Sequence, residues 1–310
     1  MATVSHSSDA HDSHDANHNS GDHQSYYVPH QSHWPIVAAS GLFLLMFGTG
    51  QMINHPDSPL RWLSVVGALI IIWMFFGWFR NVIEESMGGL YDEQMDRSFR
   101  WGMGWFIFSE VMFFAAFFGA LFYVRQLAVP WLAGDGSNAM THELLWPDFV
   151  AQWPLMTPPD TSAYSGPQQI IDPWHLPLIN TVLLVTSSVT LTFAHHALRA
   201  NKRGALASWL ALTLLLGAAF LVIQAEEYVE AYTKLGLTLE SGIYGGTFFI
   251  LTGFHGLHVT MGSIILLVML LRILKGHFTP QQHFGFEAAA WYWHFVDVVW
   301  LGLFLFVYVF

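Results

Sequence analysis

The sequence predicts an all-α membrane protein of seven transmembrane helices, and two observations carry that prediction. Hydrophobic residues make up 54% of the 310 and charged residues only 11%, against about 25% charged in a soluble domain. The apolar residues also gather into seven runs, at 35–54, 60–83, 99–125, 176–198, 204–230, 243–272 and 287–310, each near the roughly 20 residues needed to cross a bilayer. Cysteine is absent, which excludes disulfides, thiolate metal sites and cysteine nucleophiles. The net charge of −11 is spread over loops and tail, and nothing points to nucleic acid.

Residues 1–33 precede the first run. They are rich in Ser, Asp and His, with His6, His11, His14, His18, His23, His30 and His33, and have too little apolar surface to offset the entropy of ordering. A disordered polar tail is expected. The spacing of His11, His14 and His18 would suit a metal in a helix, but a solvated tail accounts for the composition more simply. No Lys, Arg or apolar stretch of a secretory signal occurs there. Residues 34–310 form the transmembrane domain.

Charge sets the orientation. Arg80, Arg97, Arg100, Arg199, Lys202, Arg203, Arg272 and Lys275 fall after runs two, four and six, and only Arg61, Arg125 and Lys234 fall on the other side. Positive charge inside places the N-terminus in the cytoplasm and the C-terminus outside. The longest loop, 126–175, then lies outside; it has no Lys or Arg and holds Trp131, Trp146, Trp153 and Trp174, residues that favour a membrane boundary.

Run three is the most informative. It carries Glu110 about 15 Å along the helix from Arg100, where an ionised side chain costs at least about 2.5 kcal/mol. The acid therefore needs a partner. Ala115, Ala116, Gly119 and Ala120 form a small-residue stripe on the opposite face, which suggests a close-packing seam. Run six shows the same design: Gly242, Gly246, Gly253, Gly256, Thr260 and Ser263 line one stripe, with His255 and His258 on the other side. Run seven adds His294 and Asp297, three residues apart and on one face.

Glu110, His255, His258, His294 and Asp297 are thus candidates for a proton-related polar cluster, or for interhelical hydrogen bonds that fix packing. Grouping His195 and His196 with His255, His258 and His294 as a metal centre fails on depth, so no metal site is expected. Glu226, Glu227 and Glu230, at the end of run five, read as solvated or locally paired.

Six stretches identify a family that the chain resembles. They are RNVIEES (80–86), RWGMGWFIFSEVMFFAAFF (100–118), FAHHAL (193–198), QAEEYVEA (224–231), GIYGGTFFILTGFHGLHVTMG (242–262) and HFGFEAAAWYWHFVDVVWL (283–301). The chain is similar to subunit III of the aa3-type haem-copper cytochrome c oxidases from about residue 33 to the end.

The resemblance implies an accessory subunit with no redox centre, in a proton-pumping oxidoreductase that passes electrons from cytochrome c to oxygen. Haem a, haem a3 and copper B belong to subunit I, the main contact, and copper A to subunit II. It also implies a lipid-binding cleft between the first two helices and the other five, stabilisation of the catalytic subunit, and support of proton uptake in a bacterial inner membrane. The family's buried glutamate falls on Glu110 and its intramembrane histidines on His255 and His258. Its phospholipid positions fall on Phe79, Arg80, Glu85, Arg272, Lys275, His277 and His283.

The chain departs from the pattern in three places. The loop MGGLYDEQMD (87–96) lacks the histidine many relatives carry there, the loop before run four is longer than usual, and the His-rich tail is unusual. The last two read as docking elements for a lineage-specific partner. Subunit III of a quinol oxidase or nitric oxide reductase system is the near alternative, less favoured because relatives there often lack the first two helices. A histidine-ligated membrane metalloenzyme is the alternative from another class.

Overall fold

The computed structural model describes residues 31–310, so the expectation for the polar tail lies, up to residue 30, outside the described residues. Among the described residues all regular structure is helical, and seven helices are long and apolar enough to cross a membrane. Their bounds fall close to the seven runs read from the sequence. The chain divides into two compact units, Met1–Asp96 and Arg97–Phe310.

The first unit pairs α1 (Trp34–Asn54) with α2 (Leu63–Met87). Ser58 opens the turn between them, its Oγ accepting the Leu60 amide at 3.3 Å before a single tight turn that begins at Pro59. The helices interlock through glycines. A Cβ at Gly67 would meet the Leu45 backbone and lie 2.7 Å from the Gly41 carbonyl oxygen, and one at Gly48 would lie 2.7 Å from the Leu63 carbonyl carbon. The Trp34 indole covers Gly77 and meets Trp73 edge-on at 5.6 Å. Small residues let two apolar helices touch backbone to backbone, which is how packing is gained where lipid competes for every apolar face.

The second unit contains α3, which begins at Glu93 and runs to Tyr123, α6 (Leu176–Arg199), α7 (Arg203–Thr233), α8 (Gly242–Leu274) and α9 (Phe284–Leu303). Two short helices, α4 (Val129–Leu132) and α5 (Ala139–Leu145), lie in the long loop. A wide π turn, Phe304–Val309, continues α9.

The core forms around α9. Trp293 and Trp300 are fully buried, and each is fixed by an oriented bond: Trp293 Nε1 donates to Ser187 Oγ at 2.9 Å and Trp300 Nε1 to Thr181 Oγ1 at 3.0 Å. The Trp293 ring lies against Gly217 of α7 and Gly262 of α8, where a Cβ would come within 2.7 and 2.9 Å of it. Phe220 meets Trp300 edge-on at 4.7 Å. Two indoles of one helix thus tie α6, α7 and α8 together, and truncating either would cost about 3–5 kcal/mol in a soluble core.

Among the described residues of the second unit, the expected close-packing seams are not the packing faces. Ala115, Ala116, Gly119 and Ala120 are exposed, and no atom lies within 4 Å of a Cβ placed on Gly119, Gly246 or Gly256. Gly242 and Gly253 meet only Pro158 and Tyr228, at ordinary contact distance. Both helices are apolar all round, so periodicity does not select the buried face. Fit around the α9 indoles does, and it uses Gly217 and Gly262 instead.

The long loop is docked. Phe149, Leu155 and Ile171 are buried, Trp153 meets Tyr244 edge-on at 5.5 Å, and the Gln168 amide donates to the Leu235 carbonyl at 2.9 Å. Ser162 and Ala163 turn back on Asp160: the Ser162 hydroxyl, then the amides of Ala163 and Ser162, hold its carboxyl below the usual range.

Candidate functional site

Glu110 has found its partner in His258. The α3 face that carries Glu110 is the inward one, with Phe114 one turn on and buried, and α8 brings His258 opposite. Nε2 of His258 lies 2.8 Å from Glu110 Oε2, and both side chains are largely shielded, 12% and 21% exposed. Phe114, Phe113 and Tyr292 surround the imidazole, with ring centroids at 4.9, 5.8 and 6.4 Å.

The other nitrogen fixes the chemistry. His258 Nδ1 is 2.6 Å from the Phe254 carbonyl oxygen, which only accepts, so Nδ1 carries a hydrogen. One proton is then shared between Nε2 and Oε2. Whichever atom holds it, the pair is neutral overall, either as two uncharged groups or as an ion pair. That removes the cost of a net charge at mid-depth which an unpartnered Glu110 would incur.

The remaining polar residues do not join this pair. His255 is 1% exposed; its Nε2 donates to the Val296 carbonyl at 3.1 Å, and its ring lies on Trp300 at 5.0 Å and near Phe220 at 5.7 Å. It packs within the core, opposite to the expectation that it faces away from the packing surface. His294 Nδ1 meets Ser188 Oγ at 2.6 Å, while Asp297 is buried with its Oδ1 unpartnered. Sequence spacing put His294 and Asp297 on one face but did not reveal that His294 reaches Ser188 of α6. Among the described residues no hydrogen bond links these groups to Glu110, so the single expected cluster resolves into three.

At the Arg100 end of the unit, Glu287 bridges three helices. Its Oε2 pairs with Arg100 Nη2 at 2.5 Å, while Oε1 lies 3.8 Å from His195 Nε2 and 3.6 Å from His283 Nε2. The Arg100 guanidinium also sits over the Phe284 ring at 5.4 Å. Among the described residues, His195, His283 and Glu287 are the group whose donor atoms could converge on a metal ion. The expected absence of a metal set needs that amendment. Two imidazoles and a carboxylate are donors of the kind Zn²⁺ takes, but Arg100 already balances the carboxylate. The grouping of His195 with His255, His258 and His294 does not form.

The phospholipid positions are scattered over both units. In the first, Phe79 is exposed and stacks on Trp78 at 5.5 Å, Arg80 pairs with Glu84 at 2.8 Å, and Glu85 accepts the Tyr91 hydroxyl at 2.8 Å. In the second, Arg272 covers Phe278 at 4.4 Å, and Lys275 ends α8 just before a turn at Gly276 with φ +81°. Arg203, which sequence reasoning passed over, holds that turn by donating to the Phe278 carbonyl at 2.9 Å. Burial, then the cations Arg272 and Lys275, push the His277 imidazole below its ordinary range. His283 belongs with Glu287.

Comparison with known proteins agrees with this architecture. The family model described as cytochrome c oxidase subunit III matches residues 23–134 and 155–310, leaving out part of the long loop. Cytochrome c oxidase subunit 3 of Drosophila melanogaster is 40% identical over 288 residues, covering 91% of this chain and 95% of that protein. The proteins of the same name from Pelomedusa subrufa and Cyprinus carpio are each 39% identical, over 286 and 284 residues, covering 91% of this chain and 96% of each relative.

Proposed function

The chain belongs to the cytochrome c oxidase subunit III family, and on that premise we propose that it is an accessory subunit, without haem or copper of its own, which steadies the catalytic subunit and supports its proton uptake. The oxidase is an oxidoreductase complex, and haem a, haem a3, copper A and copper B are assigned to partner subunits I and II. The histidines within the bilayer support this reading, because each spends a ring nitrogen on a protein group: His255 on Val296, His258 on Phe254 and Glu110, and His294 on Ser188.

One observation carries the proton role: Glu110 Oε2 lies 2.8 Å from His258 Nε2 in an otherwise apolar setting. A proton can shift between the two atoms of such a pair with no change in net charge, and the carboxyl remains a titratable group within the bilayer. Glu110→Gln keeps the shape and a polar end but removes the titratable group. The expected outcome is an oxidase that assembles fully and either takes up protons more slowly or inactivates several-fold faster during turnover, followed by stopped-flow proton uptake and by progress curves. Loss of the chain from the purified complex would make Glu110 a structural residue and remove the proton role.

Phospholipid binding is proposed on each unit separately, by Phe79, Arg80 and Glu85 on the first and by Arg272, Lys275 and His277 on the second. Cationic head-group contacts at one level of the membrane fit the charge distribution. The same distribution supports a cytoplasmic N-terminus in the bacterial inner membrane proposed for the chain. A reporter fused after Phe310 is expected to be active only in its periplasmic form; activity in the cytoplasmic form would reverse the orientation.

A further inference from the structure

Glu227 lies in the QAEEYVEA stretch of α7, where the sequence suggests a solvated or locally paired acid. It is neither. The residue is 1% exposed, and none of the ion pairs among the described residues includes it. Its Oε1 accepts two hydrogen bonds, from the Tyr308 hydroxyl at 2.6 Å and from Gln224 Nε2 at 3.1 Å. Its Oε2 is buried with no protein partner, and so is Oδ1 of Asn180. Asn180 is itself fully buried and belongs to the same island, its Nδ2 donating to Gln224 Oε1 at 3.5 Å.

The donors in this island do not reach all of its oxygens if Glu227 is ionised. Tyr308, Gln224 and Asn180 direct their donors to Glu227 Oε1 and Gln224 Oε1, which leaves two acceptor oxygens, Glu227 Oε2 and Asn180 Oδ1, without a hydrogen. A buried carboxylate with no cation and one bare oxygen is strongly disfavoured. A proton on Oε2 removes the charge and converts that oxygen from acceptor to donor. The Asn180 oxygen still needs a hydrogen, which a water molecule can supply while accepting the one on Oε2. Glu227 lies 24 residues along α7 from Arg203, about 36 Å at helical rise. That is past a hydrocarbon core of about 30 Å, at a depth water reaches.

We propose that Glu227 is held as the neutral acid, with its proton on Oε2, and that together with Asn180 it binds one buried water, pinning the last turn of the chain to α6 and α7. The site is distinct from Glu110 and does not depend on a proton role for that residue. A small cation is the competing occupant, and it would require an ionised Glu227.

The test is infrared difference spectroscopy on the purified oxidase. Wild type minus Glu227→Gln is expected to show a carboxylic-acid C=O band that moves down in D₂O; carboxylate bands in its place would overturn the proposal. Glu227→Gln, nearly isosteric with the neutral acid, is expected to assemble as wild type does and Glu227→Leu to assemble poorly, whereas equal failure of both would count against a neutral acid. Tyr308→Phe probes the same point without touching the acid: loss of one hydrogen bond at the carbonyl oxygen should raise the band's frequency, and an unmoved band would reject the assignment. Asn180→Leu removes the water's other partner. A band unchanged in that variant would sink the bridging water.

Discussion

His258→Leu is expected to destabilise the assembled chain by about 2–3 kcal/mol, because the Glu110 carboxyl then stays at mid-depth with no hydrogen-bond partner. Glu110→Leu should cost less, about 1–2 kcal/mol, since what it leaves unpaired is an uncharged imidazole still anchored to the Phe254 carbonyl. The double variant Glu110→Leu/His258→Leu is expected to sit near the parent, because an apolar pair of similar volume is commonly neutral in place of a buried polar one. The interaction term from this cycle isolates the pair from the packing of Phe113, Phe114 and Tyr292 around it. Thermal loss of the chain from the purified complex measures all four members. A double variant that loses the sum of the two single losses would show that the 2.8 Å contact carries no coupling.

Gly67→Val should be more damaging than any side-chain truncation in the first unit, at least about 3 kcal/mol. A Cβ at Gly67 meets the backbone of Leu45 and the Gly41 carbonyl oxygen, and neither is the end of a side chain that can swing away. The helices must separate, and the Trp34 and Trp73 contact beyond them is lost as well. Gly119→Val is the control, since nothing lies within 4 Å of a Cβ there. Accumulation of each variant in the membrane, and its resistance to protease, should separate the two sharply. A Gly67→Val protein as stable as Gly119→Val would mean that α1 and α2 do not pack through these glycines.

The elements that could be read from sequence were those set by local chemistry. Seven apolar runs with cations at alternate ends are enough to define seven helices, because the bilayer demands length and hydrophobicity before anything else. Glu110 was legible as an acid in need of a partner for the same reason. What could not be read was direction around each helix. The glycine stripe of α8 looks like a seam, yet Gly262, outside that stripe, receives Trp293, and His255 follows it into the core. Glu227 looked like one of three solvated acids, and only the return of Tyr308 from the far end of the chain buries it. In both cases the deciding neighbour is distant in sequence and apolar on most of its surface, so no spacing announces it.

The Glu110 and His258 pair also has an electrical consequence. A charge carried through the whole membrane gains or loses about 2.3 kcal/mol per 100 mV. A proton that moves only between Nε2 and Oε2 travels less than their 2.8 Å separation, itself less than a tenth of a core about 30 Å thick, so its energy changes by no more than about 0.2 kcal/mol per 100 mV. Where the proton sits within the pair is therefore almost independent of the respiratory voltage, whereas exchanging it with either side of the membrane would cross part of the field and feel that voltage.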